Sequence, residues 1–214
     1  MDLWVLAGVP ATSFVVALSG ALMPGPLLTV TVGEAGRRGF WAGPLIILGH
    51  GLLELALVLL LLAGVGGWLN RPQILGTVGL VGAGVLGWMG WGLLQAARTS
   101  RLSLEGQEAG GLNPVLAGVL MSLANPYWLL WWLTIGLGYV LFAARFGLVG
   151  VFLFFAGHIL ADFAWYSLVA AAVAQGRRFI SDTVYRGFLA GCGVFLFAFG
   201  GYFGLQGLKF FWNA

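Results

Sequence analysis

Charge is what this sequence lacks: 8% of its 214 residues are charged, against about a quarter in a soluble domain. That scarcity, with 60% hydrophobic residues, excludes an ordinary soluble fold. Apolar stretches recur along the whole length, each long enough to cross a bilayer at about 20 residues per crossing, so a single membrane domain over residues 1–214 is expected. Cysteine is nearly absent. Cys192 stands alone, which excludes an internal disulfide and a dithiol redox couple and leaves any metal site to histidine and carboxylate ligands. A basic stripe interleaved with aromatics is also missing, so the net charge of +3 points to membrane orientation and not to nucleic acid. No Ser/His/Asp or Cys/His nucleophile set can be assembled, so the chain reads as a non-enzyme without a cofactor. Gly82-Ala83-Gly84-Val85-Leu86-Gly87 matches the dinucleotide fingerprint by letter, but it lies inside an apolar span with no strand before it. Residues 1–10 lack the basic flank and cleavage site of a removable signal peptide and read as the lead-in to the first span.

Breaking the chain at its charged and turn-forming residues gives six helical spans, at 11–35, 40–68, 74–97, 112–137, 147–174 and 183–210. Pro10 suits the first turn of a helix, which would place the start of span one there. Seven basic residues, Arg37, Arg38, Arg98, Arg101, Arg177, Arg178 and Arg186, fall after the odd spans, and three, Arg71, Arg145 and Lys209, on the other face. The positive-inside rule then puts the seven in the cytoplasm and both termini outside. Glu34 sits beside Arg37 and Arg38 at that interface. Trp41, Trp68, Trp128, Trp131, Trp132 and Tyr139 are read as interfacial or packing residues, and Ser122 among others as a helix-to-helix hydrogen-bonding group.

A repeat lies beneath the hydropathy. Gly49-His50-Gly51-Leu52-Leu53-Glu54 matches Gly157-His158-Ile159-Leu160-Ala161-Asp162, and each is preceded ten residues earlier by a glycine, Gly39 or Gly147. Gly90-Trp91 with Gln95 and Arg98 similarly resembles Gly201-Tyr202 with Gln206 and Lys209. Two three-helix units follow one another, residues 1–100 and 111–214. An odd number of spans per unit turns the second upside down, the inverted-repeat plan of many secondary transporters. The first span of each unit is interrupted, by Pro24-Gly25-Pro26 and by Asn125-Pro126, because proline removes a donor and clashes with the preceding turn. In hydrocarbon such freed backbone is tolerated only against protein or a watery cavity.

Ionisable residues in mid-span are costly and so mark a pathway or a pair. His50 with Glu54 and His158 with Asp162 are four residues apart, one helical turn, so each imidazole shares a face with its carboxylate. The four can converge on one cavity, where they would carry a proton or bind a substrate amine, while backbone freed near Gly25 and Asn125 would take a carboxylate or carbonyl. Internal hydrogen-bonded glue is the idle alternative. Two imidazoles and two carboxylates also suit a divalent cation. Gln95, Gln206 and Tyr127 are candidate pore-lining residues.

Ala21-Leu22-Met23-Pro24-Gly25-Pro26, then Gly36-Arg37-Arg38-Gly39, Asn125-Pro126 and Asp162 with Trp165-Tyr166 resemble the LysE/RhtB group of amino-acid exporters. The resemblance spans nearly the full chain. It implies a small six-span exporter in the bacterial cytoplasmic membrane, driven by the proton gradient or membrane potential and moving amino acids or related metabolites. Tyr127 stands where many relatives carry a basic residue, and the His–carboxylate pairs suggest a divergent branch. The rival readings are a divalent-cation exporter with His50, Glu54, His158 and Asp162 as ligands, and a membrane-embedded enzyme or assembly factor. The expected partners are a small-molecule substrate and lipid, and the chain could form a homo-oligomer.

Overall fold

The computed structural model describes residues 3–65, 71–99, 112–176 and 181–212; Trp68, Arg101, Arg177 and Arg178 lie outside them. The described residues form helices and no strand. In chain order these are α1 Leu3–Ala21, α2 Pro26–Arg38, α3 Ala42–Leu62, α4 Pro72–Thr99, α5 Pro114–Leu123, α6 Pro126–Ala144, α7 Gly147–Gly176 and α8 Asp182–Trp212. Six of them (α1, α3, α4, α6, α7 and α8) are long and apolar enough to cross a membrane. Their outward faces carry Trp4, Val15, Leu52, Leu59, Val81, Phe152 and Leu160, all exposed as a lipid-facing surface requires.

Both interruptions read from the sequence are present. Proline at the first helical position begins a new helix after each, Pro26 for α2 and Pro126 for α6, since the absent N–H has no intrahelical partner at that position anyway. The ends of the broken crossings differ from expectation. The first begins at Leu3 with Pro10 inside α1, not at residue 11, and the fourth continues to Ala144 instead of stopping at 137. The backbone of Pro10 lies on Gly157, where a Cβ would overlap it. The fourth crossing runs longer because no proline or charge interrupts it before Arg145.

Paired contacts give the helix directions. Pro10 lies on Gly157, Ala21 and Leu27 cluster with Tyr166, and Ala35 packs with Ala170, so α1 and α2 run in succession alongside α7 in the same sense. Gly43 meets Tyr166 and Ala170 while Gly51 meets Ile159, so α3 runs the opposite way. Along α3, Ile46 touches Gly118 of α5, and Leu57, Val58 and Leu61 share a core cluster with Trp131, Trp132 and Val140 of α6. The chain reverses at Gly39 and Gly147, with φ of 80° and 68°, a region that glycine enters without steric cost. Among the described residues, helices α4 and α8 form the most extensive pair. They approach backbone to backbone, since a Cβ at Gly79 would stand 2.9 Å from the Gly207 Cα and one at Gly90 2.9 Å from the Gly193 carbonyl.

Candidate functional site

Helical spacing brings His50 and Glu54 onto one face of α3 and His158 and Asp162 onto one face of α7, and the antiparallel packing of these helices turns the two faces together. His50 Nε2 lies 3.0 Å from Glu54 Oε1 and 3.8 Å from Asp162 Oδ2. His158 Nε2 lies 3.1 Å from Glu54 Oε2 and 3.5 Å from Asp162 Oδ2. None of the four residues is more than 5% exposed. So dense a group of ionisable side chains, far from water, is stable only if its charges compensate one another.

The outer partners explain how the group is held. Trp128 and Trp132 of α6 both donate their indole N–H to Glu54 Oε1, at 3.0 and 2.8 Å. Ser122 Oγ lies 2.7 Å from His50 Nδ1 and gives its hydroxyl proton to the Gly118 carbonyl, also at 2.7 Å. A hydroxyl has one proton, so Ser122 accepts from His50 Nδ1–H and fixes the ring with Nε2 toward the carboxylates. An imidazole nitrogen held 3.0 Å from a carboxylate needs a cation between them, either a proton on the ring or a metal ion. The arrangement is therefore chemically a site for positive charge. Trp132 belongs to a π-helical turn, Trp132–Gly136, a local widening of the helix of the kind often found at functional sites.

A cavity of about 50 Å³ adjoins this group, lined among others by Ala17, Gly25, His50, Glu54, Ser122, Asn125, Tyr127, Trp132, His158 and Asp162. The two interruptions meet at its rim: a Cβ on Gly25 would stand 3.5 Å from Asn125 Nδ2, and Asn125 Oδ1 caps α6 by accepting from the Tyr127 amide at 3.1 Å. Gly25 thus places the start of α2 beside the start of α6. Pro24 and Pro26 flank Gly25 outside the lining, while Pro126 faces a second, apolar cavity against Gly82 of α4. Gln95 is exposed on α4 and Gln206 half-buried on α8, and neither lines the central cavity. Glu34 pairs with Arg37 at 3.1 Å and also with Arg38.

Trp128, Trp131 and Trp132, read from the sequence as interfacial or packing residues, are turned inward, and two of them bind Glu54. The available signal was spacing: Trp128 and Trp132 are one turn apart, like His50 and Glu54, so they share a face.

Against this geometry, the model of the LysE type translocator family matches residues 18–207, most of the chain and both pairs. The chain belongs to the LysE type translocator family. The resemblance carried by the Pro-Gly-Pro and Gly-Arg-Arg-Gly segments is thereby borne out. ChpE of Pseudomonas aeruginosa, named a chemotactic transduction protein, is 31% identical over 192 residues, covering 86% of this chain and 91% of ChpE. YcgF of Bacillus subtilis, provisionally named an amino acid efflux protein, is 25% identical over 201 residues, covering 91% of this chain and 94% of YcgF. No solved structure matches the chain. Membership in this family, with six helices long and apolar enough to cross a membrane, makes the chain a multi-pass membrane protein of a translocator family.

Proposed function

We propose that this LysE-family translocator is a secondary-active exporter of amino acids or related small metabolites, driven by the proton gradient or the membrane potential. The observation that carries the reading is the meeting of His50, Glu54, His158 and Asp162 beside one cavity bounded by two helix interruptions. The four side chains hold the positive charge of the cycle, a proton or the substrate's amine. The start of α2, near Gly25, takes the substrate's carboxylate, because its cap makes no side-chain hydrogen bond and a helix N-terminus presents unpaired N–H groups and the positive end of the dipole. Asn125, at the start of α6, joins it through the Nδ2 that lies beside Gly25. A cavity of about 50 Å³ has room for water but is small for an amino acid, which enters when the bundle opens.

The two halves act as inverted repeats, residues 1–100 and 111–214, in one membrane domain. That reading is supported by matching contacts: Gly49 on Val115 and Gly157 on Pro10, each too close for a Cβ. In the bacterial cytoplasmic membrane, with the arginine-rich loops inside, both termini face outward.

Efflux from proteoliposomes loaded with free L-amino acids tests the proposal. The double variant Glu54→Gln with Asp162→Asn is expected to reach the membrane in normal yield and to export nothing; unchanged export would refute the assignment. A second reading, export of a divalent cation, is favoured by ligand atoms of His50, Glu54 and Asp162 lying within 4.8 Å of one another, as they would around an ion. Titrating the purified chain with zinc or manganese decides it, since saturable binding lost in His50→Ala is then required.

A further inference from the structure

His50–Glu54 and His158–Asp162 have the same chemistry at the same spacing, and the structure treats them differently. Glu54 Oε1 receives two indole N–H groups, from Trp128 and Trp132. Its neighbour His50 is gripped at the far nitrogen by Ser122. In the other pair, Asp162 Oδ2 and His158 Nδ1 are buried without a hydrogen-bonding partner; Glu54 Oε2 also lacks one but lies 3.1 Å from His158 Nε2, whereas Asp162 Oδ2 comes no nearer than 3.5 Å to either imidazole. Buried polar atoms almost always find partners, and leaving one bare is costly. Two such atoms on one pair, both belonging to residues that line the cavity, mark the place where something outside the chain completes the bonding. Across the same cavity stand Gly25 and Asn125, at the starts of α2 and α6. An occupant there meets a bare carboxylate at one end and, at the other, the uncapped start of α2 with the Asn125 amide beside it, the polarity that fits a zwitterion.

We propose that the two pairs divide the work: His50–Glu54, clamped by Ser122, Trp128 and Trp132, is a fixed counter-charge, and Asp162 is the group that receives the cationic head of the cargo. Trp128, Trp132 and Ser122 are positioning residues. The proposal deepens the exporter reading and depends on it only for the identity of the cargo.

Thermal unfolding of the purified full chain separates the two pairs. Glu54→Met removes the acceptor of both indoles at similar volume and is expected to unfold roughly 6 °C below the parent. Asp162→Leu removes no indole hydrogen bond and only the longer contacts of 3.5 and 3.8 Å to His158 and His50, and is expected to lose clearly less than Glu54→Met. Glu54→Gln keeps an acceptor for the indoles and recovers most of the loss, which distinguishes a lost clamp from a merely intolerant position. In proteoliposomes loaded with the twenty free L-amino acids, Asp162→Asn abolishes efflux. Trp132→Phe lowers the maximal rate while the half-saturating concentration stays put, as befits a residue that does not touch cargo. Equal destabilisation by Glu54→Met and Asp162→Leu, or efflux surviving in Asp162→Asn, overturns the division. A parent that exports no amino acid while the stability contrast holds would remove the amino-acid reading and leave the division standing.

Discussion

The seam between α3 and α5 and the seam between α7 and α1 are built on one backbone plan with different side chains. In the first, Gly49 sits on Val115 and Gly118 on the Ile46 carbonyl, each so close that a Cβ would overlap. In the second, Gly157 sits on Pro10 in the same manner, but Ser13 occupies the place corresponding to Gly118 and bonds the Phe154 carbonyl through its hydroxyl at 2.7 Å. Residues 46, 49 and 50 correspond to 154, 157 and 158, a constant 108. Residues 115 and 118 correspond to 10 and 13, a constant 105, which pairs Ser122 with Ala17. The difference teaches that close backbone approach is common to both seams, while the polar fittings above it are particular to each. One imidazole has a serine and the other has alanine.

The largest effect should come from the close approach itself. Gly118→Ala inserts a methyl into the Ile46 carbonyl, the helices must separate, and overpacking of this kind costs about 2–3 kcal/mol. Ser13→Ala at the corresponding place loses a hydrogen bond and creates no clash, so a loss of about 1 kcal/mol is expected. Thermal unfolding in one detergent compares the two; equal losses would break the correspondence of the seams. Ser122→Ala comes next. It strips His50 Nδ1 of its only hydrogen-bonding partner among the described residues and should cost about 1–2 kcal/mol. Efflux should slow as well, because the ring is then free to turn its Nε2 away from Glu54. Full efflux in this variant would show that the serine is not needed to aim the ring.

Much of this was legible beforehand because it is periodic. Charge-free runs gave the six crossings, proline gave the two interruptions, and four-residue spacing gave the His–carboxylate faces of α3 and α7. What was not legible depends on which helices touch. Nothing local to Pro10 reveals that α1 continues through it or that its backbone packs on Gly157, 147 residues away. The inward turn of Trp128 and Trp132 is equally non-local: a tryptophan near a helix end suits a lipid interface, and only the partner Glu54 makes the interior the better place for its N–H. Ser122 was recognisable as a hydrogen-bonding residue of an apolar helix, but its partner was not.

The smallest expected effect on stability is the most informative about the two imidazoles. Ala17→Ser puts a hydroxyl on α1 at the place Ser122 holds on α5, within the same cavity lining as His158. The hydroxyl can bond His158 Nδ1, which is buried and bare, so stability should stay level or rise by up to about 1 kcal/mol. Transport should move in the opposite direction, because a ring tied at both nitrogens no longer leaves a site for cargo. Ala17→Cys is the control: it adds similar bulk with only a weak hydrogen-bonding group, so it should leave efflux nearer the parent's. Slow efflux in the serine variant alone would mean that the bare nitrogen is kept bare for transport. If serine and cysteine slow efflux alike, space beside His158 is what matters, and if neither does, the asymmetry at Ala17 and Ser122 has no part in the cycle.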